Sequence, residues 1–246
     1  MDFQDFINNL TEEDLRRINE AFRQQKNKRP VYTYSKIKDK DLRHLFNLER
    51  KLETGIFEPW FDSERSLTTE EMDFLTRLLT MEADWVKIYQ EEDLKIHFIA
   101  PILNRVNFKM LDHQVRDFYE EPLSYQTDSF ILKGEIDFMV AEGLEYAKKP
   151  YFFIQEFKRS EEYYNPRPQL LAELISAVEL NQDESIKGAY IIGAIWNFVI
   201  LEKLGKDKYQ YFVSSNFDST KIDDLIGIYK NLQALREEIA LLTKPQ

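Results

Sequence analysis

The 246-residue chain contains no cysteine, which excludes disulfide bonds, a thiol nucleophile and a zinc site with cysteine ligands. Glycine is scarce, with seven residues, and neither G-x-x-x-x-G-K-S/T nor G-x-G-x-x-G occurs, so a glycine-rich phosphate loop is unsupported. The longest uncharged stretch, residues 188–201, is shorter than the ~20 residues that span a bilayer. The acidic N-terminus lacks the apolar region of a secretory signal. These absences predict a soluble, cytoplasmic protein with no membrane partner.

Charge is unevenly distributed along a chain whose net charge is −11. An acidic surface repels phosphate, which argues against nonspecific nucleic-acid binding. Residues 23–43 nevertheless contain eight lysines or arginines, with two tyrosines among them. Basic residues interleaved with aromatic rings can hold a nucleic-acid backbone and stack a base, which makes Lys36, Lys38 and Lys40 candidate contacts. A solvated segment between helices is the simpler alternative for such a run.

The first eighty residues carry several helix signals. Thr11 can cap a helix that runs to about residue 25. Residues 41–53 show a second amphipathic pattern at helical spacing. Thr68 and Glu71 have the spacing of a capping box, which predicts a third helix through residue 79.

Residues 83–106 predict a long amphipathic helix. Its apolar stripe consists of six residues: Trp85, Ile88, Ile96, Ile99, Leu103 and Val106. Glu92 falls in phase with that stripe, and a buried carboxylate needs a partner or a metal ion. Alternatively, the helix ends or turns there and leaves Glu92 exposed. Pro101 lies inside the pattern and is expected to kink or split it.

The pattern changes from helical to alternating at about residue 126. We expect strands at 131–141, 151–159 and 189–195, a hairpin of 197–203 with 208–214, and helices at 169–180 and 221–242. A sheet between helices predicts an α/β fold. The organisation we expect is a helical N-terminal segment over residues 1–80 and a core over residues 81–246.

The first two predicted strands carry the chemistry. On the first, alternation puts Leu132, Ile136, Phe138 and Val140 on the core face, and Lys133, Glu135 and Asp137 on the other. On the second, one face is apolar until its C-terminal end, where it carries Glu156 and Lys158. If the strands pair, Asp137 and Glu156 approach each other, and two close carboxylates repel unless a proton or cation intervenes.

Magnesium suits this pair, since it prefers oxygen ligands and uses few protein carboxylates. The ammonium of Lys158 could orient the attacking water, lower its pKa or neutralise a pentacovalent phosphate. An ordinary half-exposed sheet with cross-strand Glu–Lys pairs explains the alternation without any chemistry. The alternation alone leaves both interpretations open.

Asp137, followed nineteen residues later by Glu156-Phe157-Lys158, resembles the bipartite signature of the PD-(D/E)XK nuclease superfamily. The resemblance covers roughly residues 83–215. It implies a restriction-endonuclease-like mixed sheet flanked by helices, with Asp137 and Glu156 as ligands of Mg²⁺ (or Mn²⁺) and Lys158 as the catalytic lysine. Ile136 stands where the family's motif has proline, a position that varies among its branches.

The resemblance also implies supporting residues around the predicted site. Glu92 matches the glutamate of the family's first core helix, with Glu91 as a rival, and Gln169 opens the helix on which some branches place a glutamine. Arg159 and Arg167 flank the site and are candidate phosphate contacts, although as surface residues they need no function.

We therefore expect a metal-dependent nuclease that hydrolyses phosphodiester bonds of DNA or RNA, with DNA expected ahead of RNA as its partner. A catalytically inactive nuclease-fold binding or assembly module, with a protein partner or as a homo-oligomer, is the alternative, and the acidic net charge favours it. A helical adaptor for protein interactions is a third, weaker alternative.

Overall fold

The computed structural model describes residues 10–26, 29–61, 65–159 and 165–243. The strands found in these ranges are β1 (Val31–Thr33), β2 (Asn47–Arg50), β3 (Val115–Gln126), β4 (Ile131–Glu142), β5 (Lys148–Lys158), β6 (Ser185–Ile192), β7 (Ile195–Gly205), β8 (Lys208–Val213) and β9 (Phe217–Asp218). The α-helices there are α1 (Glu12–Lys26), α2 (Asp39–Leu45), α3 (Glu58–Phe61), α4 (Thr69–Glu82), α5 (Glu91–Leu94), α6 (Ala100–Val106), α7 (Pro166–Asn181) and α8 (Ile222–Leu242). A π-helical turn, Lys95–Ile99, joins α5 to α6.

The strands form one mixed sheet in the order β1-β4-β5-β6-β7-β8-β2, with β3 also paired to β4 and β9 to β7. The pairs β1–β4, β5–β6 and β2–β8 are parallel, and the others are antiparallel. The prediction of an α/β fold with a mixed sheet flanked by helices is confirmed.

Each face of the sheet packs against its own helices. One apolar cluster joins Phe153 and Phe198 of the sheet to α8 and α6, and the other joins Ile154 and Val199 to α7. Helix α7 is buried from Pro168 to Val178, because the sheet covers one of its sides and the segment around Tyr34 and α2 packs against it elsewhere.

Several predicted elements occur where local signals indicate them. Thr68 caps α4, since its Oγ1 accepts the Glu71 N–H at 3.2 Å while the Glu71 carboxylate accepts the Thr68 N–H at 2.8 Å. The predicted strands 131–141 and 151–159, the hairpin and the closing helix correspond to β4, β5, β7–β8 and α8.

The N-terminal segment is only partly helical, contrary to the sequence prediction. The helix predicted over 41–53 ends at Leu45, and Asn47–Arg50 forms β2 beside β8. Val31–Thr33 likewise forms β1 beside β4. The reason is tertiary, because partners distant in the chain supply the backbone hydrogen bonds of these short strands. The division at residue 80 stays an interpretation, and β1 and β2 pair with the sheet across it.

The predicted long helix over 83–106 is wrong in its first part and interrupted in its second. Turns occupy 83–88, and α5, the π-helical turn and α6 then follow without a break over 91–106. The wider π turn shifts the helical phase directly before Pro101, where the sequence predicts a kink or a split. Consequently Trp85, Ile88 and Ile96 are exposed.

Strand β3 was not expected, since the alternation was expected to begin only at about residue 126, whereas β3 begins at Val115. Its burial alternates irregularly, which weakens the period-2 signal. Among the described residues, no helix combines the length and apolar character needed to cross a bilayer.

Candidate active site

The candidate site lies where β5 separates from β4. One edge of β4 pairs with β1 over residues 131–133 and with β5 from Phe138 onward. The last β4–β5 pair is Phe138 with Gln155, and beyond it β5 continues beside β6. The ring of Tyr34 lies against the intervening part of β4, where a Cβ on Gly134 would come within 2.9 Å of it. Asp137 thus lies at the edge of a split between two strands.

The carboxylate of Asp137 bridges that split. Its Oδ2 accepts the backbone N–H of Phe157 at 2.9 Å, and its Oδ1 accepts a hydrogen bond from Lys95 Nζ at 2.9 Å. Asp137 is 9% exposed. The sheet backbone therefore holds one oxygen of this carboxylate, and a lysine holds the other.

The predicted faces of β4 are wrong in one respect. Leu132 and Ile136 pack in the apolar cluster of α7, whereas Phe138 and Val140 pack in the cluster of α8. Opposite Asp137, Glu120 of β3 has φ +50°, a left-handed conformation that disrupts regular pairing. The regular alternation is broken at Asp137, so the four residues do not share one face.

Glu156 is fully buried on the α7 side of β5. Lys158 Nζ lies 2.8 Å from its Oε1 as an ion pair, and its Oε2 accepts no hydrogen bond from a described residue. Burial, and next the negative charge of Asp137, raise the pKa of Glu156 well above its usual value. The two predicted ligands therefore interact directly, in a place where water does not solvate the second one.

Lys158 is the third predicted residue at the split. Besides Glu156, its Nζ lies 3.3 Å from Glu91 Oε1. Burial lowers the pKa of Lys158, but the carboxylates of Glu156, Asp137 and Glu91 outweigh it and raise that pKa above its ordinary value. The side chain is therefore an ammonium at neutral pH.

Glu173 of α7 interacts with Glu156, and sequence reasoning did not identify it as a site residue. Gln169 Nε2 donates to its Oε1 at 3.0 Å, its Oε2 accepts no hydrogen bond from the described chain, and the residue is fully buried. Burial, followed by the charge of Glu156, raises the pKa of Glu173 well above its usual value. The sequence feature that could have indicated Glu173 is its position as a glutamate inside the apolar run of α7. Gln169, predicted as supporting, contacts Glu173.

Glu91 and Glu92 exchange the roles that the resemblance implies. The Glu92 side chain is 73% exposed, as in the alternative where the helix turns, and it lies 3.4 Å from Lys95. Glu91 instead contacts Lys158. Of the two glutamates, Glu91 is therefore the one beside a predicted catalytic side chain.

Lys95 is a second lysine at the site, and sequence reasoning missed it. Its Nζ lies 2.9 Å from Asp137, 3.2 Å from Glu120 and 3.4 Å from Glu92. Burial lowers its pKa, but the charges of Asp137 and Glu120 outweigh this and raise it. The π-helical turn directs Lys95 toward the split, and no short motif encodes that turn.

The two arginines predicted as nucleic-acid contacts have protein partners of their own, and the three predicted lysines are exposed. Arg159 donates to Gln90 at 2.7 Å, and Arg167 pairs with Asp39 at 3.0 Å. The second pair ties the start of α2 to the first turn of α7. Lys36, Lys38 and Lys40 are exposed on this segment. The side chains of Arg23 and Lys26, and all of Lys28, lie outside the described residues.

A cleft of about 900 Å³ lies elsewhere, between the β3–β4 and β7–β8 turns. Its lining includes Arg29, Tyr32, His44 and Tyr125, but none of the predicted site residues. This cleft and the carboxylate cluster are therefore two separate places in the described part of the fold.

The donor set suits a small divalent cation. Glu156 offers two buried carboxylate oxygens, one of them ion-paired with Lys158, and the Asp137 carboxylate adjoins it. Among the described residues, no group of three or more His, Asp or Glu side chains could hold a metal ion. Mg²⁺ needs no such cage, since it commonly binds one or two carboxylates and retains several waters.

The chain matches no protein-family model, and the search of curated proteins found no match to it. What the structure defines is an α/β protein with a mixed sheet and a buried cluster of acids and lysines where two strands separate.

Proposed function

We propose that this chain is a metal-dependent nuclease of restriction-endonuclease-like fold, which hydrolyses phosphodiester bonds of DNA or RNA. One observation carries the proposal: Asp137, Glu156 and Lys158 meet where β5 leaves β4, and Glu156 is fully buried there beside a second carboxylate. Burying two neighbouring carboxylates costs free energy, so such a pair indicates a function that compensates for the cost.

The element order supports the fold in this proposal. An antiparallel run β3-β4-β5 leads into α7, and β6 then returns parallel to β5 before its hairpin with β7. This order agrees with the strand, helix and strand-pair order that the resemblance implies. Glu156 and Lys158 lie at the C-terminal end of β5, a common location for sites in such sheets.

Asp137 and Glu156 would hold Mg²⁺ or Mn²⁺, which when bound lowers the pKa of a coordinated water and offsets charge on the phosphate. Lys158 is protonated, so it serves as a donor and a positive charge rather than as a general base. In the reaction, a water molecule gives up one proton as its oxygen bonds to phosphorus, the bond to the leaving oxygen breaks, and the leaving oxygen takes one proton. Lys158 stabilises the negative charge that develops on the phosphate.

The exposed lysines near α7 support a nucleic-acid partner. Lys36, Lys38 and Lys40 are on the segment that Arg167 ties to α7, and α7 follows the site strand β5 in the chain. Phosphate contacts of this kind position a strand without reading its sequence. We infer that DNA is the preferred substrate over RNA, and parallel assays on both settle the choice.

The test is cleavage of plasmid DNA and of RNA by the purified protein with Mg²⁺ or Mn²⁺. Lys158→Met is expected to lower the rate by about 10²–10³-fold, the usual loss when a group that stabilises transition-state charge is removed. Lys148→Met is the matched control, since Lys148 is an exposed lysine at the other end of β5. No cleavage by the wild type, or equal rates for the two variants, contradicts the proposal.

The net charge of −11 favours a second candidate, a catalytically inactive nuclease-fold binding or assembly module. Calorimetric titration with Mn²⁺ separates the two functions. An active site binds the ion, and Glu156→Gln weakens that binding, whereas a module without catalysis needs no ion. Cross-linking or light scattering then shows whether such a module assembles with itself.

A further inference from the structure

Lys95 is surrounded by acidic groups within the candidate site. Three carboxylates lie within 3.4 Å of its Nζ, namely those of Asp137, Glu120 and Glu92. The ammonium also lies 5.6 Å from the centroid of the Phe157 ring, and Phe157 is the residue whose N–H holds the other oxygen of Asp137. A fixed positive charge therefore occupies one side of a proposed metal ligand.

The burial of these groups makes their contacts unequal. The side chains of Lys95 and Asp137 are 14% and 12% exposed, whereas those of Glu120 and Glu92 are 57% and 73% exposed. Solvent screens the outer pair, so the attraction between Lys95 and Asp137 dominates. This ion pair uses Asp137 Oδ1, the oxygen that the backbone of β5 leaves free.

We propose that Lys95 is a built-in competitor for the divalent cation: its ammonium neutralises Asp137, and a metal ion binds there only by displacing it. This inference rests on the proposed metal site. Lys95 is a positioning residue, since it acts on the reaction through Asp137. When no ion is bound, the lysine offsets the repulsion among the carboxylates around it. It therefore sets the concentration of free metal ion that the site needs for binding.

The test is calorimetric titration of Mn²⁺ into the wild type, Lys95→Met and Lys87→Met. Methionine keeps the length of the side chain and removes the charge. Removing a competing charge at this distance is expected to tighten Mn²⁺ binding by about tenfold or more. Lys87→Met removes the same formal charge from the neighbouring turn, where Lys87 pairs with Asp84, and its affinity should equal that of the wild type.

Stability measurements provide a second readout that does not depend on catalysis. Loss of the ion pair with Asp137 should lower the melting temperature of Lys95→Met without metal, and saturating Mn²⁺ should raise it by more than in the wild type. A lysine with a merely structural role predicts the same initial loss but no larger gain with Mn²⁺.

The outcomes separate this inference from the proposed function. If the wild type binds Mn²⁺ and Lys95→Met binds it equally or less tightly, the proposal that Lys95 competes with the ion is wrong, and the proposed metal site is retained. If both lysine variants bind more tightly by the same factor, the effect is general electrostatics and the inference is overturned. If neither the wild type nor Lys95→Met binds Mn²⁺, the proposed site fails, and the inference fails with it. Tighter binding by Lys95→Met alone supports the competitor.

Discussion

Two glutamates on helix α7, six residues apart, show two ways in which a protein holds an internal acid. Glu179 has partners for both of its oxygens, because Lys203 Nζ lies 2.9 Å from its Oε2 and the Tyr209 hydroxyl donates to its Oε1 at 2.5 Å. Glu173, by contrast, is fully buried, accepts one hydrogen bond from Gln169, and faces the negative charge of Glu156.

The comparison indicates that Glu179 stabilises the fold, whereas Glu173 lowers its stability. An ion pair with Lys203 and a hydrogen bond from the Tyr209 hydroxyl stabilise the junction of α7 with β7 and β8. Two buried carboxyl groups beside each other cost free energy unless a proton or a cation reduces their repulsion. We interpret the Glu179 cluster as structural and the Glu156–Glu173 cluster as functional, and four experiments can break or sharpen that contrast.

The largest expected difference is in cleavage. Glu156→Gln should lower the rate by more than about a hundredfold. Mutation of a residue that only hydrogen-bonds to a metal ligand already lowers metal affinity or activity by about 10–100-fold, and Glu156 is proposed as a ligand itself. Glu179→Gln should retain the wild-type rate, since its partners lie at the other end of α7. Rates are measured on plasmid DNA with Mg²⁺. Equal losses in the two variants would mean that the site extends along the helix, against our interpretation.

The next difference is in folding stability. Glu179→Gln should lower the free energy of unfolding by about 1–2 kcal/mol, because hydrogen bonds to a charged group are lost or weakened. Glu173→Gln should not lower it at neutral pH, since glutamine keeps the shape of the side chain and removes a buried acid. Urea unfolding at pH 7 compares them. A larger loss for Glu173→Gln than for Glu179→Gln would reverse the assignment.

A pH series tests the acid at Glu173 directly. Below about pH 4.5, its ordinary pKa, the carboxyl is protonated in both the folded and the unfolded chain. Above that pH the unfolded chain loses the proton first, because burial and then Glu156 raise the pKa in the folded state. Wild-type stability should therefore fall, by at most about 1.4 kcal/mol per pH unit for this proton, until the pH reaches the raised value.

Glu173→Gln removes this titration and should flatten the corresponding part of the stability curve. The measurement is urea unfolding of both proteins at one-unit intervals from pH 5 to pH 8. Parallel curves for the variant and the wild type would show that Glu173 is ionised in the folded protein, which contradicts a raised pKa for its carboxyl.

The smallest expected effect concerns Tyr209. Burial, and next the Glu179 carboxylate, raise the pKa of its hydroxyl, which is consistent with a hydroxyl that stays protonated and donates. Tyr209→Phe should lower the free energy of unfolding by about 1 kcal/mol, and by less in a Glu179→Gln background. A double-mutant cycle measures this coupling. Additive losses would mean that the hydroxyl contributes independently of Glu179.

Local chemistry accounts for the parts of the fold that were predicted. The capping box at Thr68 and Glu71 starts α4 through contacts three residues apart, and alternation marks β4 and β5 because side chains on a strand have a period of two. The approach of Asp137 to Glu156 was also predicted, on the condition that the two strands pair, and Lys158 follows Glu156 on the same face of β5. These inferences require only neighbours along the chain or one strand pair.

Other features depend on contacts that no local pattern encodes. Val31 pairs with Ile131, and Asn47 pairs with Lys208, so β1 and β2 exist because distant strands offer an edge. Lys95 reaches Asp137 through a π-helical turn, and Glu173 meets Glu156 only when α7 packs on the sheet. The helical pattern over residues 41–53 favours helix at Asn47–Arg50, and tertiary pairing with β8 overrides it.

By itself, the sequence determined an α/β protein, the strands that carry its acids, and the residue types able to bind a divalent cation, because periodicity and capping act within a few residues. Only the tertiary structure decided that β5 leaves β4 beside Asp137, that Glu91 rather than Glu92 approaches Lys158, and that Lys95 and Glu173 join the site. The physical reason is that desolvation and Coulomb interactions depend on distances in space, which sequence separation does not determine.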